Sequence, residues 1–246
     1  MAKRKIKLTI AYDGSEYHGW QYQPDTVTVQ GIISEAITKL TGDFVRVVGA
    51  SRTDAGVHAL GQAACIKVDS PIPTRNFVKA VNDRLPEDIV IISAKEVEDD
   101  FDVTRDVKNK LYRYTIYNGK TRPVLQIKHC WFYPYELDVK KMNEAAKFFE
   151  GKKDFTSFAS SGDQRDSKVR TVFRSRVFQK DNLLYYEVEG DGFLYNMVRN
   201  IVGTLVEVGR GKIKPGEIEE ILKAKNRTKA GGIAPASGLC LMWLEY

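Results

Sequence analysis

A short polar segment, Arg52–Ala59, brings three chemically active side chains within seven positions. They are the guanidinium of Arg52, the carboxylate of Asp54 and the imidazole of His58, and Gly56 permits a tight turn between them. If the segment starts extended, Arg52 and Asp54 project to the same side. The arginine could then hold a phosphate or fill the place of an extruded base while the carboxylate meets a sugar or base. A turn whose aspartate caps its own backbone explains the same residues, and composition alone favours that simpler interpretation.

The elements around this segment follow from hydrophobic spacing. Alternating and helical patterns predict a strand, a helix, two strands, a helix and a strand, at Ile6–Ile10, Gln30–Leu40, Phe44–Ala50, Ala63–Val68, Thr74–Leu85 and Ile89–Val97. This β-α-β-β-α-β order is that of a ferredoxin-like half, in which an antiparallel sheet carries helices on one face. The polar segment then lies between two strands.

A related order recurs after the acidic run Glu96–Asp102. The predicted elements are Leu111–Tyr117, Lys140–Glu150, Val172–Gln179, Leu184–Glu189, Phe193–Val208, Pro215–Lys225 and Leu239–Glu245. We therefore predict an α+β fold of two related halves, residues 1–106 with the Asp54 loop and residues 107–246. The polar stretch Ser157–Lys168 is predicted to be a mobile loop, either a lid or a plain connector.

Charge is distributed unevenly between these halves. Residues 1–106 carry 13 Lys and Arg against 16 Asp and Glu, a net charge of −3, whereas residues 107–246 carry 25 against 16, a net charge of +9. Such asymmetry suits a polyanionic partner that docks mainly on the second half. A solvated basic face explains the charge equally well.

Composition excludes several classes of protein. No run approaches the roughly 18 apolar residues of a membrane span, and the start of the chain lacks the apolar stretch of a secretory signal, so we expect a cytoplasmic globule. Its 3 cysteines are scattered, without a Cys-x-x-Cys pair, which argues against a disulfide framework and a zinc site. We also find no Gly-rich phosphate loop and no ligand cluster, and so expect neither a cofactor nor a metal.

The polar segment closely resembles the signature of the tRNA pseudouridine synthases that modify the anticodon stem-loop, often called the TruA family. The resemblance continues in order almost from end to end, through Tyr12–Ser15, Gly19–Gln21, Thr28–Gly31, Lys110–Tyr114, Asp154–Phe158, Val169–Thr171, Met197–Gly203 and Ala234–Leu239. Ser51 departs from the glycine expected before the arginine. That difference affects the backbone of the loop and leaves its reactive residues unchanged.

The resemblance implies that Asp54 is the catalytic carboxylate and that Arg199 is its cationic partner. It also places Tyr112 in the active site, where the ring could stack on the target uracil and the hydroxyl could move a proton. Arg199 independently lies in a helix with an apolar stripe, so a partner for its charge is expected. Without the resemblance, an exposed helix arginine and a core tyrosine are the simpler interpretations.

The resemblance further implies a pseudouridine synthase fold, with ferredoxin-like or RRM-like halves, helices on one side and the active site in a cleft between the halves. Arg52 is the expected residue for extruding the base or holding its phosphate, and His58 is expected to be structural or to contact RNA. A homodimer, with one tRNA touching both subunits, and target uridines at tRNA positions 38, 39 and 40 are implied as well.

Two other functions compete with this interpretation. A catalytically silent RNA-binding protein could keep the same fold, although a pure binder gains nothing from a carboxylate near phosphates. An RNA-modifying enzyme of different chemistry, such as a methyltransferase, would need a cofactor cradle that the sequence lacks.

Overall fold

The computed structural model describes residues 3–160 and 162–246. The chain forms two compact units. The first contains the residues before Asn109 together with Leu241–Tyr246, and the second is Asn109–Cys240. The terminal segment that the sequence grouped with the second half thus belongs to the first unit.

The first unit is built on antiparallel strands, as its alternating hydrophobic residues predict. Its strands are β1 (Arg4–Tyr12), β2 (Val48–Gly49), β3 (His58–Val68) and β4 (Ile89–Glu96), and β10 (Leu239–Glu245) lies beside β3. Strand β1 lies between β4 and β3, with Leu8 opposite Ala64. Ile6, Leu8 and Ile10 are fully buried, so this face of the strand forms the core of the unit.

Two helices cover this sheet, α1 (Val29–Thr41) and α2 (Thr74–Asn82). The side chain of Thr28 accepts a hydrogen bond from the Gly31 amide and caps the start of α1. Gly42 ends the helix with a φ of 84°, a conformation that glycine adopts without strain. The periodicity of residues 30–40 therefore predicted this helix to within one residue at each end.

The strand predicted at Phe44–Ala50 is reduced to the two residues of β2. The hydroxyl of Ser34 donates to the Val45 carbonyl, and Thr38 accepts from the Val45 amide. Gln30 donates to the Val47 carbonyl, and Phe44 is 81% exposed. Side chains of α1 thus take the backbone groups that a longer strand would have paired with β3, and the prediction was wrong there for that reason.

The second unit also carries an antiparallel sheet. Its strands are β5 (Asn109–Tyr117), β6 (Trp131–Phe132), β7 (Gly151–Asp154), β8 (Val169–Lys180) and β9 (Leu183–Gly190), and its helices are α3 (Val139–Lys147), α4 (Met197–Gly209) and α5 (Glu217–Ala224). The strand order is β5-β9-β8-β7, and the short β6 pairs with β5 in parallel. The predicted α+β class is confirmed.

Helix α4 is the most deeply buried helix of this unit in the described part of the chain. Eleven of its 13 residues are buried. It begins at Met197, not at Phe193 as predicted, because Asn196 adopts a left-handed conformation with a φ of 60°. The segment between β9 and α4 is therefore a loop. None of the helices in the two described ranges has both the length and the apolar character that crossing a membrane requires.

Candidate active site

The loop that carries Asp54 connects β2 to β3 and is tied down at its start by Gln62. This side chain is fully buried. Its Oε1 accepts from the Ser51 amide (3.2 Å) and its Nε2 donates to the Ser51 carbonyl (2.6 Å). Both backbone groups of Ser51 are thereby satisfied by one side chain of β3, as a neighbouring strand would do. The departure from glycine at position 51 is compatible with this anchoring.

The middle of the loop is fixed through Thr53, which is also buried. Its Oγ1 shares a hydrogen bond of 2.7 Å with the hydroxyl of Tyr12, at the end of β1. Its carbonyl accepts from the Trp20 amide at 3.0 Å. Since both groups precede Asp54 directly, the backbone of the candidate catalytic residue has a defined starting direction.

Asp54 opens a turn that returns the chain to β3. Its carbonyl accepts from the Val57 amide at 3.1 Å, and Gly56 takes a φ of 78° within the turn. Asp54 itself is half-buried, and Arg52 is exposed. The side chains of Arg52 and Asp54 thus belong to one loop whose backbone is held by hydrogen bonds on both sides of Asp54.

Close backbone packing explains two glycines of the motifs near the N-terminus. A Cβ on Gly14 would lie 2.0 Å from the Val57 carbonyl oxygen, and a Cβ on Gly19 would lie 2.6 Å from that of Thr53. Neither position can accept a side chain unless the loop moves. The motifs Tyr12–Ser15 and Gly19–Gln21 therefore form the surface on which the Asp54 loop rests.

His58 begins β3 and is only 6% exposed. Its Nδ1 accepts from the Gly14 amide at 3.0 Å and lies 3.0 Å from Oδ1 of Asp13. His58 thus has a structural contact, and its contact with RNA stays a prediction.

Tyr112 lies on β5 in the second unit, opposite Val188 of β9. It is 6% exposed, and its ring packs edge-on against Phe193 with ring centroids 5.3 Å apart. Tyr114, two residues along the same face of β5, donates its hydroxyl to the Pro235 carbonyl at 2.7 Å. Tyr112 therefore borders the loop that leads from β9 into α4.

Arg199 lies in the first turn of α4 and is half-buried, not an exposed helix residue. Its Nε donates to the Ala234 carbonyl at 2.8 Å, and one terminal nitrogen donates to the side chain of Asn196 at 3.0 Å. Burial raises the pKa of the Tyr114 hydroxyl, and the nearby charge of Arg199 opposes that shift. Arg199 is thus held on the same side of β5 as the two tyrosines.

The predicted site residues are divided between the two units. Asp54, Arg52 and His58 lie in the first unit, and Tyr112 and Arg199 lie in the second. Within the second unit, Tyr112 contacts Phe193 and Arg199 contacts Asn196, so both border the β9–α4 loop. An aspartate, a tyrosine and an arginine in these positions can supply a nucleophile or base, a stacking ring and a positive charge.

Comparison with known proteins identifies the kind of enzyme to which these residues belong. A family model described as tRNA pseudouridine synthase matches residues 8–105 and 145–246, which include Asp54 and Arg199. The chain belongs to this family. The protein is therefore an isomerase that converts uridine to pseudouridine in tRNA.

Full-length relatives agree with the assignment. The synthase is 48% identical over 244 residues to tRNA pseudouridine synthase A of Caldicellulosiruptor saccharolyticus, covering 99% of this chain and all of that protein. It is 46% identical over 243 residues to tRNA pseudouridine synthase A of Thermoanaerobacter sp. (strain X514), with the same coverage. The resemblance to the TruA family is thus confirmed.

A solved archaeal box H/ACA sRNP Nop10–Cbf5 complex also matches the synthase. The match covers 81% of this chain and 53% of that chain, with a TM-score of 0.35 and 10% identity. This likeness is too low to carry an argument about fold or function.

Several residues that support the site were not predicted from the sequence. Gln62, Tyr12 and Thr53 fix the Asp54 loop, and Phe193 packs on Tyr112. A buried glutamine within the apolar run of β3 was the one available signal, because a buried amide requires partners. The contacts of Tyr12 and Phe193 depend on tertiary packing and left no such signal.

Proposed function

We propose that this synthase isomerises uridine at position 38, 39 or 40, or at several of them, on the 3′ side of the tRNA anticodon stem-loop, with Asp54 as the catalytic carboxylate and without a cofactor. The full-length resemblance supports the target positions. The observation that carries the catalytic assignment is the anchoring of the Asp54 loop by Gln62, Thr53 and the Gly14 and Gly19 segments. A carboxylate that must meet one atom of an everted nucleotide needs such a fixed backbone.

The proposed reaction breaks the N1–C1′ bond of the uridine, turns the uracil in the pocket and joins C5 to C1′. The proton on C5 is then lost, and N1 gains a proton, so atoms and electrons balance without redox chemistry or water. The Asp54 carboxylate starts ionised and acts as a nucleophile at C1′ or C6, or as a base on the ribose. These three routes are alternatives within the same assignment.

Arg199 is proposed to keep Asp54 ionised, because a nearby cation lowers the pKa of a carboxyl group. Its hydrogen bonds to Ala234 and Asn196 support this role by holding the guanidinium in one orientation. Tyr112 is proposed to stack on the uracil and to assist the loss of the C5 proton. Its edge-on contact with Phe193 supports the role by fixing the plane of the ring.

Arg52 is proposed to take the place of the extruded base or to hold its phosphate, and its exposure is compatible with that role. His58 is proposed to support the loop and to contact RNA through its remaining exposed edge. A homodimer in the cytoplasm, with one tRNA touching both subunits, completes the proposal and rests on the resemblance alone.

Tritium release tests the reaction directly. Unmodified tRNA carrying 5-tritiated uridine is incubated with the protein alone, and the sites of pseudouridine are then mapped. We expect release without any added cofactor and pseudouridine only at positions 38–40. Binding of tRNA without release would favour the silent RNA-binding protein, and release from other positions would overturn the proposed target.

A further inference from the structure

Three cations converge beside Tyr112 in the second unit. Lys110 lies on β5, on the same face as Tyr112 and opposite Gly190 of β9. Arg170 begins β8, and its side chain lies against Gly192, where a Cβ would sit 3.5 Å from Nε. Arg165 donates a hydrogen bond of 2.7 Å to the Phe193 carbonyl. These three residues, called here the cationic cluster, surround residues 190–193.

The charges of the cationic cluster repel one another. Burial, together with the charges of Arg165 and Arg170, lowers the pKa of Lys110 to about 8. Burial likewise lowers the pKa of Arg170, and Arg165 again adds to the effect. Lowered pKa values of this kind are frequent at functional sites, and in this protein they accompany three cations around one loop.

Two acidic side chains lie close to the cationic cluster, and both have hydrogen bonds of their own. Asp163 accepts from the Tyr195 amide at 2.7 Å and from Lys168 at 3.1 Å, and it also forms an ion pair of 3.6 Å with Arg165 of the cluster. Asp191 accepts from the Thr171 amide at 3.0 Å. Together with Lys168, the cluster sets four cations against these two carboxylates, so its local charge is positive.

We propose that the cationic cluster of Lys110, Arg165 and Arg170 binds a backbone phosphate of the tRNA next to the uridine that stacks on Tyr112. The negative charge of a phosphodiester is complementary to the excess of positive charge at this loop. Phe193 links the two functions, because its ring packs on Tyr112 while its carbonyl holds Arg165. This inference rests on the proposed stacking role of Tyr112, and it adds a phosphate contact that orients the nucleotide.

The salt dependence of tRNA binding tests the contact. Each phosphate contact that is removed lowers the slope of log affinity against log salt by about 0.7 to 0.9. Because the three cations share one phosphate, we expect the double variant Lys110→Gln/Arg170→Gln to lower the slope by that amount. Each single variant should lower the slope by part of that amount and weaken binding roughly tenfold. Lys180→Gln is the matched control, because Lys180 is an exposed cation at the far end of β8. Circular dichroism melts verify that every variant is folded.

Replacing one phosphate of the tRNA by a neutral methylphosphonate tests which phosphate binds the cationic cluster. Placed beside the target uridine, it should weaken binding to the wild-type protein and have a smaller effect on binding to Arg170→Gln, which has lost one of the three cations. The proposal would be overturned if the salt slopes of Lys110→Gln and Arg170→Gln equalled that of Lys180→Gln. It would also be overturned if the methylphosphonate lowered tRNA affinity equally in the wild-type protein and in Arg170→Gln.

The pH dependence of binding gives an independent readout of Lys110. Wild-type affinity should fall between pH 7 and pH 9 as Lys110 loses its proton. The other charged groups near it are Arg165, Arg170, Asp163 and Asp191. Lys110→Arg keeps its charge and should bind equally at both pH values. A wild-type affinity that does not change with pH would remove Lys110 from the site.

Inorganic phosphate distinguishes a free anion from RNA. If phosphate raised the melting temperature of the wild-type protein and not of Lys110→Gln, while both bound tRNA equally, the cationic cluster would be a free-anion site and the proposal would be wrong. Failure of the catalytic assignment is separate, since isomerisation by Asp54→Asn would overturn that assignment and leave these binding results unchanged.

Discussion

At the scale of single residues, Asp54 owes its position to its neighbours. Thr53 directly before it and Val57 after it carry the hydrogen bonds that fix the loop. Its carboxylate is thus presented on a backbone that has little freedom to relax when the side chain changes. A substitution that removes only the charge should therefore report on chemistry.

We expect Asp54→Asn to abolish pseudouridine formation while tRNA affinity changes by less than about tenfold, or about 1.4 kcal/mol. The amide has nearly the same volume as the carboxylate and cannot act as a nucleophile or base. Tritium release and filter binding measure the two effects. Asp43→Asn, the same change at an exposed position of the first unit, is the control. Turnover by Asp54→Asn at the wild-type rate would refute the assignment.

Arg199 combines a structural and a proposed chemical role. Arg199→Ala should lower single-turnover tritium release by roughly 100-fold, the usual effect of losing a charged group that stabilises the reacting centre. It should also lower the free energy of unfolding by about 1–3 kcal/mol, because its bonds to Ala234 and Asn196 are lost. Chemical denaturation separates the two effects. Full activity in a folded Arg199→Ala variant would remove Arg199 from the mechanism.

The ionisation of Lys110 should be visible in the stability of the protein. Its pKa is about 8 in the folded state and about 10.4 in the unfolded chain, so the folded state loses the proton first as the pH rises. The unfolded state then binds more protons between these values, and the free energy of unfolding rises with pH in that window. We expect wild type to gain stability relative to Lys110→Met between pH 8 and pH 10, measured by urea denaturation. A constant difference would show that the lysine is not perturbed.

At the scale of elements, the Asp54 loop depends on strand β3 more than on its own sequence. Gln62 makes hydrogen bonds to both backbone groups of Ser51 and accepts from the Ala63 amide. The activity of the loop should therefore be sensitive to a residue that never touches the substrate.

Gln62→Leu should leave the Ser51 amide and carbonyl without these partners inside the protein. We expect a loss of about 1–3 kcal/mol in the free energy of unfolding and a lower rate of tritium release. The salt slope of tRNA binding should stay unchanged, because no phosphate contact is removed. Gln179→Leu, at the exposed end of β8, is the matched control. An active Gln62→Leu variant would show that the loop is fixed by its other contacts.

The predicted loop at Ser157–Lys168 is also an element with defined anchors. Ser157 donates to the Ile221 carbonyl and accepts from the Asn226 amide. The Ser160 amide donates to the Tyr195 carbonyl, and Asp163 accepts from the Tyr195 amide. Ser161 lies outside the described residues. The described anchors tie both halves of the segment to the second unit, and its role as a lid stays a prediction.

At the scale of the whole molecule, the end of the chain completes the first unit. Leu241 is fully buried, the Glu245 carbonyl accepts from the Lys108 amide, and the Tyr246 hydroxyl donates to the Val103 carbonyl at 2.9 Å. Leu244 and Tyr246 pack on a small core that includes Val103 and Cys65. The first unit therefore depends on residues 241–246, which follow the second unit in the sequence.

Removal of the last six residues should thus destabilise the first unit more than the second. We expect hydrogen exchange of β1 and β3 to become fast in a chain that ends at Cys240. Tyr246→Phe is a milder variant that loses one hydrogen bond, about 1 kcal/mol. Equal protection of β1 and β3 in the truncated and complete chains would contradict this dependence.

The sequence by itself determined the family, the α+β class and most element positions. Helix α1 and strand β9 follow from local periodicity, which depends on residues a few positions apart. The candidate site residues Asp54, Tyr112 and Arg199 could also be predicted, because they lie in the segments that resemble the family. The signature Arg52–Ala59 is the basis for predicting that Asp54 is the catalytic carboxylate.

Only the tertiary structure decided how those residues are held. Gln62 forms hydrogen bonds with Ser51, and the ring of Phe193 packs on that of Tyr112. These residues are too far apart in the sequence for a local pattern to predict the contacts. The lowered pKa of Lys110 likewise arises from burial beside Arg165 and Arg170, which are more than fifty positions away in the chain. Local preferences fix the backbone within one element, whereas burial and the pairing of polar groups depend on which distant elements pack together. For that reason the reaction class of this protein could be predicted from its residues, whereas the contacts that hold the candidate site residues in place could not.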